Sequence, residues 1–268
     1  MTMSHSSALS SGNPAFNSES VAEYLAPSQP ATATMTAGGT AFKTLILLAL
    51  VVVGGTWGWA SATEPVAVDI GSGTGNTTVT IPGGFWLVSI GALLVGFFVS
   101  MHPRRAAIGG SVYALLEGYV LGAISAAYDA QTEGIVGAAV LATGCVFTVA
   151  LVLYATRIVR PSQRMAFGVT AALGGLVLLY LFVGVLSIFN WGWLYSDQFQ
   201  AIGAVVSGLA VILAALSLTL DFARIERGVA TGAPKFMEWY SAYGLMVTLV
   251  WLYLEMLRLL AWVFRARG

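Results

Sequence analysis

Charge is scarce in this sequence. Only 9% of its 268 residues are charged while 57% are hydrophobic, against roughly a quarter charged in an ordinary soluble domain, and such a composition belongs to a membrane protein. The formal net charge of +0 offers no basic surface of the kind that neutralises nucleic-acid phosphates, so no nucleic-acid binding is expected. A single cysteine, Cys145, excludes an intrachain disulfide and a cysteine zinc site. Two histidines, His5 and His102, cannot build a histidine metal centre or a hydrolase triad. The HExxH, GxSxG and P-loop patterns are missing as well. Asp221 stands in "LTLDFA", without the "GxGD" context of an intramembrane aspartyl protease. The expectation is a protein that is not an enzyme and holds no cofactor.

What is present is a series of long apolar runs. Residues 1–40 are rich in Ser, Ala, Thr and Pro and read as a disordered cytoplasmic tail, with 41–268 as the transmembrane domain. A span needs about 20 apolar residues as helix, and that template fits at 43–60, 83–101, 106–128, 134–156, 167–189, 201–221 and 239–264. The fold class is therefore all-α, a polytopic membrane bundle of seven helices. Short links such as "HPRR" and "DAQTE" make their neighbours antiparallel, and the Gly- and Thr-rich stretch after the first span reads as an exposed loop. Lys43, Arg104, Arg105, Arg157, Arg160, Arg164, Arg224, Arg227 and Lys235 fall on one side if the segments alternate, while the opposite loops hold Glu64, Asp69, Asp129, Glu133 and Asp197. By the positive-inside rule the amino terminus is expected in the cytoplasm. Seven crossings would put Arg265 and Arg267 on the far side, against the same rule. Either the last segment returns or its arginines serve the bundle.

Three acids lie within the apolar runs. At about 100° per residue, Ser241, Gly244, Thr248, Trp251, Glu255, Arg258, Trp262 and Arg265 share one face of the last helix. Glu255 is thus expected against protein or water, since a lipid-facing carboxylate costs at least a few kcal/mol. Asp221 stands on a stripe with Gly203, Ser207, Ala210, Ala214 and Ser217. It either marks the membrane boundary beside Arg224 or takes part in chemistry. Glu117, eleven residues into the third helix, is too deep for a boundary residue; Arg258, a tyrosine hydroxyl or a transported cation could partner it. The stripe Ala114, Gly118, Gly122 and Ala126 reads as close helix packing.

Four stretches, "RRAAIGGSVYALLEGYVLGAISAAY", "GIVGAAVLATGCVFTVALVLY", "LSLTLDFARIERG" and "YGLMVTLVWLYLEMLRLLAWVF", resemble the Bax inhibitor-1 (transmembrane Bax inhibitor motif) family, and in particular its bacterial YccA-like branch. The resemblance implies six helices around a central seventh, in a bacterial cytoplasmic membrane. It also implies a pH-sensitive calcium leak governed by an acid at the end of the sixth helix and another in the seventh. Asp221 matches the first through "LDFARI" and Glu255 replaces the second through "LYLE". Arg104 or Arg105 matches a basic cluster able to pair with the sixth-helix acid, and Arg265 a late basic position. Two carboxylates within about 4–6 Å would share a proton, forming a latch and a transient calcium waypoint, with Glu117 in a supporting role. Their depths agree only if "MEWYSA" lies along the interface and the sixth helix runs on through Ile225. The resemblance equally permits an interaction protein that binds other membrane proteins, such as a quality-control protease, without transport. The partners expected are thus calcium or another cation, membrane lipids and possible membrane-protein clients.

Overall fold

The computed structural model describes residues 33–65, 77–159, 161–189 and 197–265. The tail expected over 1–40 lies outside the described residues up to position 32, as does Arg160. Seven apolar helices form: α1 Ala37–Ala62, α2 Phe85–Met101, α3 Ala106–Asp129, α4 Ile135–Ala155, α5 Gln163–Ile188, α6 Asp197–Ala230 and α7 Met237–Arg265. Their ends follow local chemistry. Thr36 caps α1, accepting from the Gly39 amide at 3.0 Å, so the first helix begins six residues before the apolar run alone suggests. Ser162 caps α5 in the same way through the Met165 amide at 3.1 Å. Gly134, at φ 81°, makes the turn into α4 that a residue with a Cβ adopts only under strain. A two-stranded antiparallel ladder, β1 Thr63–Pro65 with β2 Thr77–Val79, closes the base of the long first loop.

Six of these helices are long and apolar enough to cross a bilayer. The seventh, α2, has 17 residues, or about 25 Å, at the short end of the spanning range. Its neighbours show that it crosses. Gly118 and Gly122 of α3 face Val51 and Gly55 of α1 in the same sequence order, so α1 and α3 run parallel and α2 must bring the chain back between them. Lipid offers these helices no hydrophobic driving force, so they associate by close packing. A Cβ at Gly122 would land on the Gly55 carbonyl, and one at Gly118 on the Val51 carbonyl.

The seventh helix is the hub. One apolar core joins it to α4 and α6 around Ala139, Leu218, Phe222 and Leu252. A second joins it to α1, α2 and α3 around Leu47, Val99, Ala114 and Met246. It also reaches α5 through a Tyr180–Glu255 hydrogen bond, so all six other helices touch it. It runs unbroken from Met237 to Arg265, which decides between the two readings of its carboxyl end: there is no return. Arg265 lies beside Gln131 of the α3–α4 turn, at 3.5 Å, on the face opposite the basic loops. "MEWYSA" forms the first turns of α7 and not a separate interfacial segment, whereas α6 does run on past Ile225 to Ala230.

Candidate functional site

Two carboxylates, wired separately, line the seam where α5, α6 and α7 meet. Asp221 follows the buried small residues Ser207, Ala210, Ala214 and Ser217 along α6, which bring the two backbones close enough for it to reach α7. Its Oδ2 accepts from Thr248 Oγ1 at 2.7 Å and its Oδ1 from the Arg224 guanidinium at 3.0 Å. Arg224 is largely solvent-exposed, so this ion pair is at the basic-face mouth of the seam.

Glu255 is 1% exposed and takes three kinds of donor. Tyr180 of α5 donates its hydroxyl at 2.9 Å, Trp251 its indole N–H at 3.2 Å, and Arg258 approaches both oxygens at 3.1 and 3.2 Å. The guanidinium also lies over the Tyr180 ring, 4.8 Å from its centroid. Trp251 and Arg258 come from the same helix face one turn either side, so the i, i+3 and i, i+4 spacing preorganises them. A carboxylate buried at this depth persists because its lone pairs are filled by donors. Tyr180 is the one contributor that sequence reasoning missed. The only signal for it is a lone hydroxyl in the apolar run "GGLVLLYLFVGV". Removing that hydroxyl with Tyr180→Phe is expected to cost about 1 kcal/mol, measured by detergent melting, because Trp251 and Arg258 still hold the carboxylate.

The two acids do not meet. Asp221 is level with Thr248, two turns or about 10 Å along α7 from Glu255, and each is bound to its own arginine. The direct shared-proton latch that the resemblance suggested therefore has no contact to rest on here. Beside Asp221 lies a cavity of about 260 Å³ that reaches Trp251 but not Glu255 itself. Thr170, Ser217, Asp221, Arg224 and Thr248 line it among four apolar side chains, and Trp251, the indole bound to Glu255, is part of its wall. Among the described residues no group of three or more His, Cys, Asp or Glu side chains converges to hold a metal ion.

The remaining residues singled out above lie elsewhere. Glu117 is half-buried on α3 within reach of the Tyr113 hydroxyl, beside the Tyr113–Tyr243 ring contact between α3 and α7, not in the seam. Arg104 and Arg105 are exposed and rest over the rings of Phe236 and Phe98. Arg224, three residues from Asp221 on the same helix, takes the place expected for them because a side chain one turn away needs no bridging loop. A further acid, Glu238, escaped the sequence reading. It is fully buried at the start of α7 and holds Lys43, Lys235 and both donors of Thr36. One buried polar atom, Ser207 Oγ, has no partner among the described residues.

A family model described as Bax inhibitor 1 like matches residues 13–265 of the chain. No curated protein matches it.

Proposed function

This chain belongs to the Bax inhibitor 1 like family, and on that premise we propose that it is a proton-sensitive cation leak, with calcium as the cargo, whose route follows the α5–α6–α7 seam. The observation that carries the reading is the cavity that reaches from Asp221 to Trp251, the indole that donates to Glu255. In place of one latch, two carboxylate stations act in series. At the outer station, ionised Asp221 draws Arg224 and Thr248 together and fastens α6 to α7; charge-assisted bonds of this kind are about twice as strong as neutral ones. Protonation weakens that fastening and widens the way to Trp251. At the inner station Glu255 supplies oxygen ligands of the type calcium prefers, once Trp251 and Arg258 give way. The basic face, from which protons would act, is the cytoplasmic side by the distribution of Lys and Arg, in a bacterial plasma membrane.

Proteoliposomes carrying a calcium dye test this. Flux through the wild type is expected to rise as the pH on the basic face is stepped from 8 to 6. Asp221→Asn should leak at pH 8 as the wild type does at pH 6, with the pH response gone. Loss of one charge-assisted bond, about 1.5 kcal/mol, is roughly a tenfold change in the closed-to-open ratio. Glu255→Gln should lower flux at every pH, and the two effects should multiply in the double variant, because the stations share no partner. A wild type that passes no ion at any pH would instead support the interaction-protein reading, in which the acids only specify packing. The exposed flank of α5, which packs mainly on α6, would then be the surface offered to another membrane protein.

A further inference from the structure

A larger cavity lies on the other side of α7. It is a slot of about 840 Å³ between α1 and α4, with α3 and α7 as its floor. Along α1 its wall runs from Ala41 to Trp59, about 27 Å at 1.5 Å per residue, which is nearly the thickness of the hydrocarbon core. The rim residues Leu45, Val52, Val140 and Leu151 are exposed, so the slot opens sideways to the bilayer. Its hydroxyls are already engaged: Ser125 with Tyr253 at 2.7 Å, Thr143 with the Ala139 carbonyl at 2.7 Å and Thr44 with the Thr40 carbonyl at 3.0 Å. Nothing on the wall calls for water or an ion, and an apolar site of this kind stays free of water.

Shape and charge point to the occupant. A slot open sideways to the bilayer, almost wholly apolar and nearly as long as the hydrocarbon core is thick, takes in the hydrocarbon chains that surround it. At the basic face the slot opens between the start of α1 and the end of α4, where Arg157 is exposed. Arg227 of α6 stands nearby, since both arginines act on the Tyr154–Glu226 contact. Eight described basic residues occupy that face against three acids, while the loops opposite carry Asp129 and Glu133. We infer that the α1–α4 slot is a binding site for an anionic phospholipid from the leaflet on the basic face, with its acyl chains in the slot and its phosphate at Arg157. This site is separate from the ion route and stands whether or not the leak exists.

Gly144 gives a clean test. It lines the slot, and a Cβ there meets nothing within 4 Å, so Gly144→Phe fills the space without disturbing the fold. Gly137, two turns earlier on the same face of α4, is equally open but does not line the slot, and Gly137→Phe is the control. Native mass spectrometry of the full chain in detergent, titrated with phosphatidylglycerol or phosphatidylcholine, should show a one-lipid adduct that prefers phosphatidylglycerol by about fivefold for each cation engaged. Gly144→Phe should weaken it about tenfold, the equivalent of about two buried methylenes, and Gly137→Phe should not. Arg157→Gln should remove about fivefold of the preference and leave phosphatidylcholine binding unchanged; this arm decides the matter if Gly144→Phe melts early. Equal binding of both lipids, adducts indifferent to Gly144→Phe in a folded protein, or a dimer that Gly144→Phe abolishes would each overturn the assignment, the last by making a second copy the occupant.

Discussion

Glu238→Ala is expected to destabilise the protein by about 3–5 kcal/mol, the range for removing one partner of a buried ion pair. Glu238 is 0% exposed. It receives the Thr36 amide and hydroxyl, each at 2.9 Å, the Lys235 ammonium at 2.8 Å, and the Lys43 ammonium. Lys235 is half-exposed and loses little. Lys43 is only 15% exposed and lies over the Trp239 ring at 5.5 Å, so its charge would be left without a counter-ion. The same carboxylate ties the segment before α1 to the α6–α7 turn, where Met35 donates its amide to the Ala233 carbonyl at 2.8 Å and Thr34 pairs with Pro234. Faster hydrogen exchange at Thr36 and Met35 should therefore accompany the loss. Glu238→Gln keeps an acceptor for Thr36 and should cost less. Equilibrium unfolding in mixed micelles gives the number, and an alanine variant within 1 kcal/mol of wild type would show that Lys43 finds water or lipid phosphate instead.

Gly122→Val is expected to destabilise the protein by about 3 kcal/mol or more. Gly122 of α3 faces Gly55 of α1 so closely that the first added carbon would meet the Gly55 carbonyl, and the obstacle is backbone, which cannot rotate away. Overpacking of a core costs about 1–3 kcal/mol, and more where no rotamer relieves it. Neither helix can slide without moving Gly118 off Val51 and Gly58 off Tyr119, which pack as closely along the same line. Cysteine cross-linking between α1 and α3 should fail in the variant while α4–α6 contacts persist, since the latter belong to a different core. Wild-type melting with Gly122→Val would mean that the two helices are not in backbone contact.

Much of this was legible along the chain. Apolar run lengths set seven helices and all-α architecture, because a backbone in hydrocarbon must satisfy its own hydrogen bonds. The small residues of α3 marked a packing face, and period-3.6 placement put Thr248, Trp251, Glu255 and Arg258 on one side of α7, where the structure finds their bonds. Some boundaries were harder to see. The start of α1 depends on a cap and not on hydropathy, and "MEWYSA" is polar enough to pass for an interfacial stretch.

Periodicity within a helix reports which residues share a face, and it did so for Glu255. It carries nothing about how far one helix is slid along the next. That offset comes from packing of small residues on facing helices, and here it levels Asp221 with Thr248 instead of with Glu255. The same packing brings Tyr180 of the otherwise lipid-exposed α5 to Glu255 and folds Lys43 and Thr36 of α1 onto Glu238. The sequence by itself determined which carboxylates had to be hidden from lipid, because the cost of exposing charge is local; only the tertiary structure decided which partner each one met, because a partner 75 or 195 residues away is selected by the fit of whole helices.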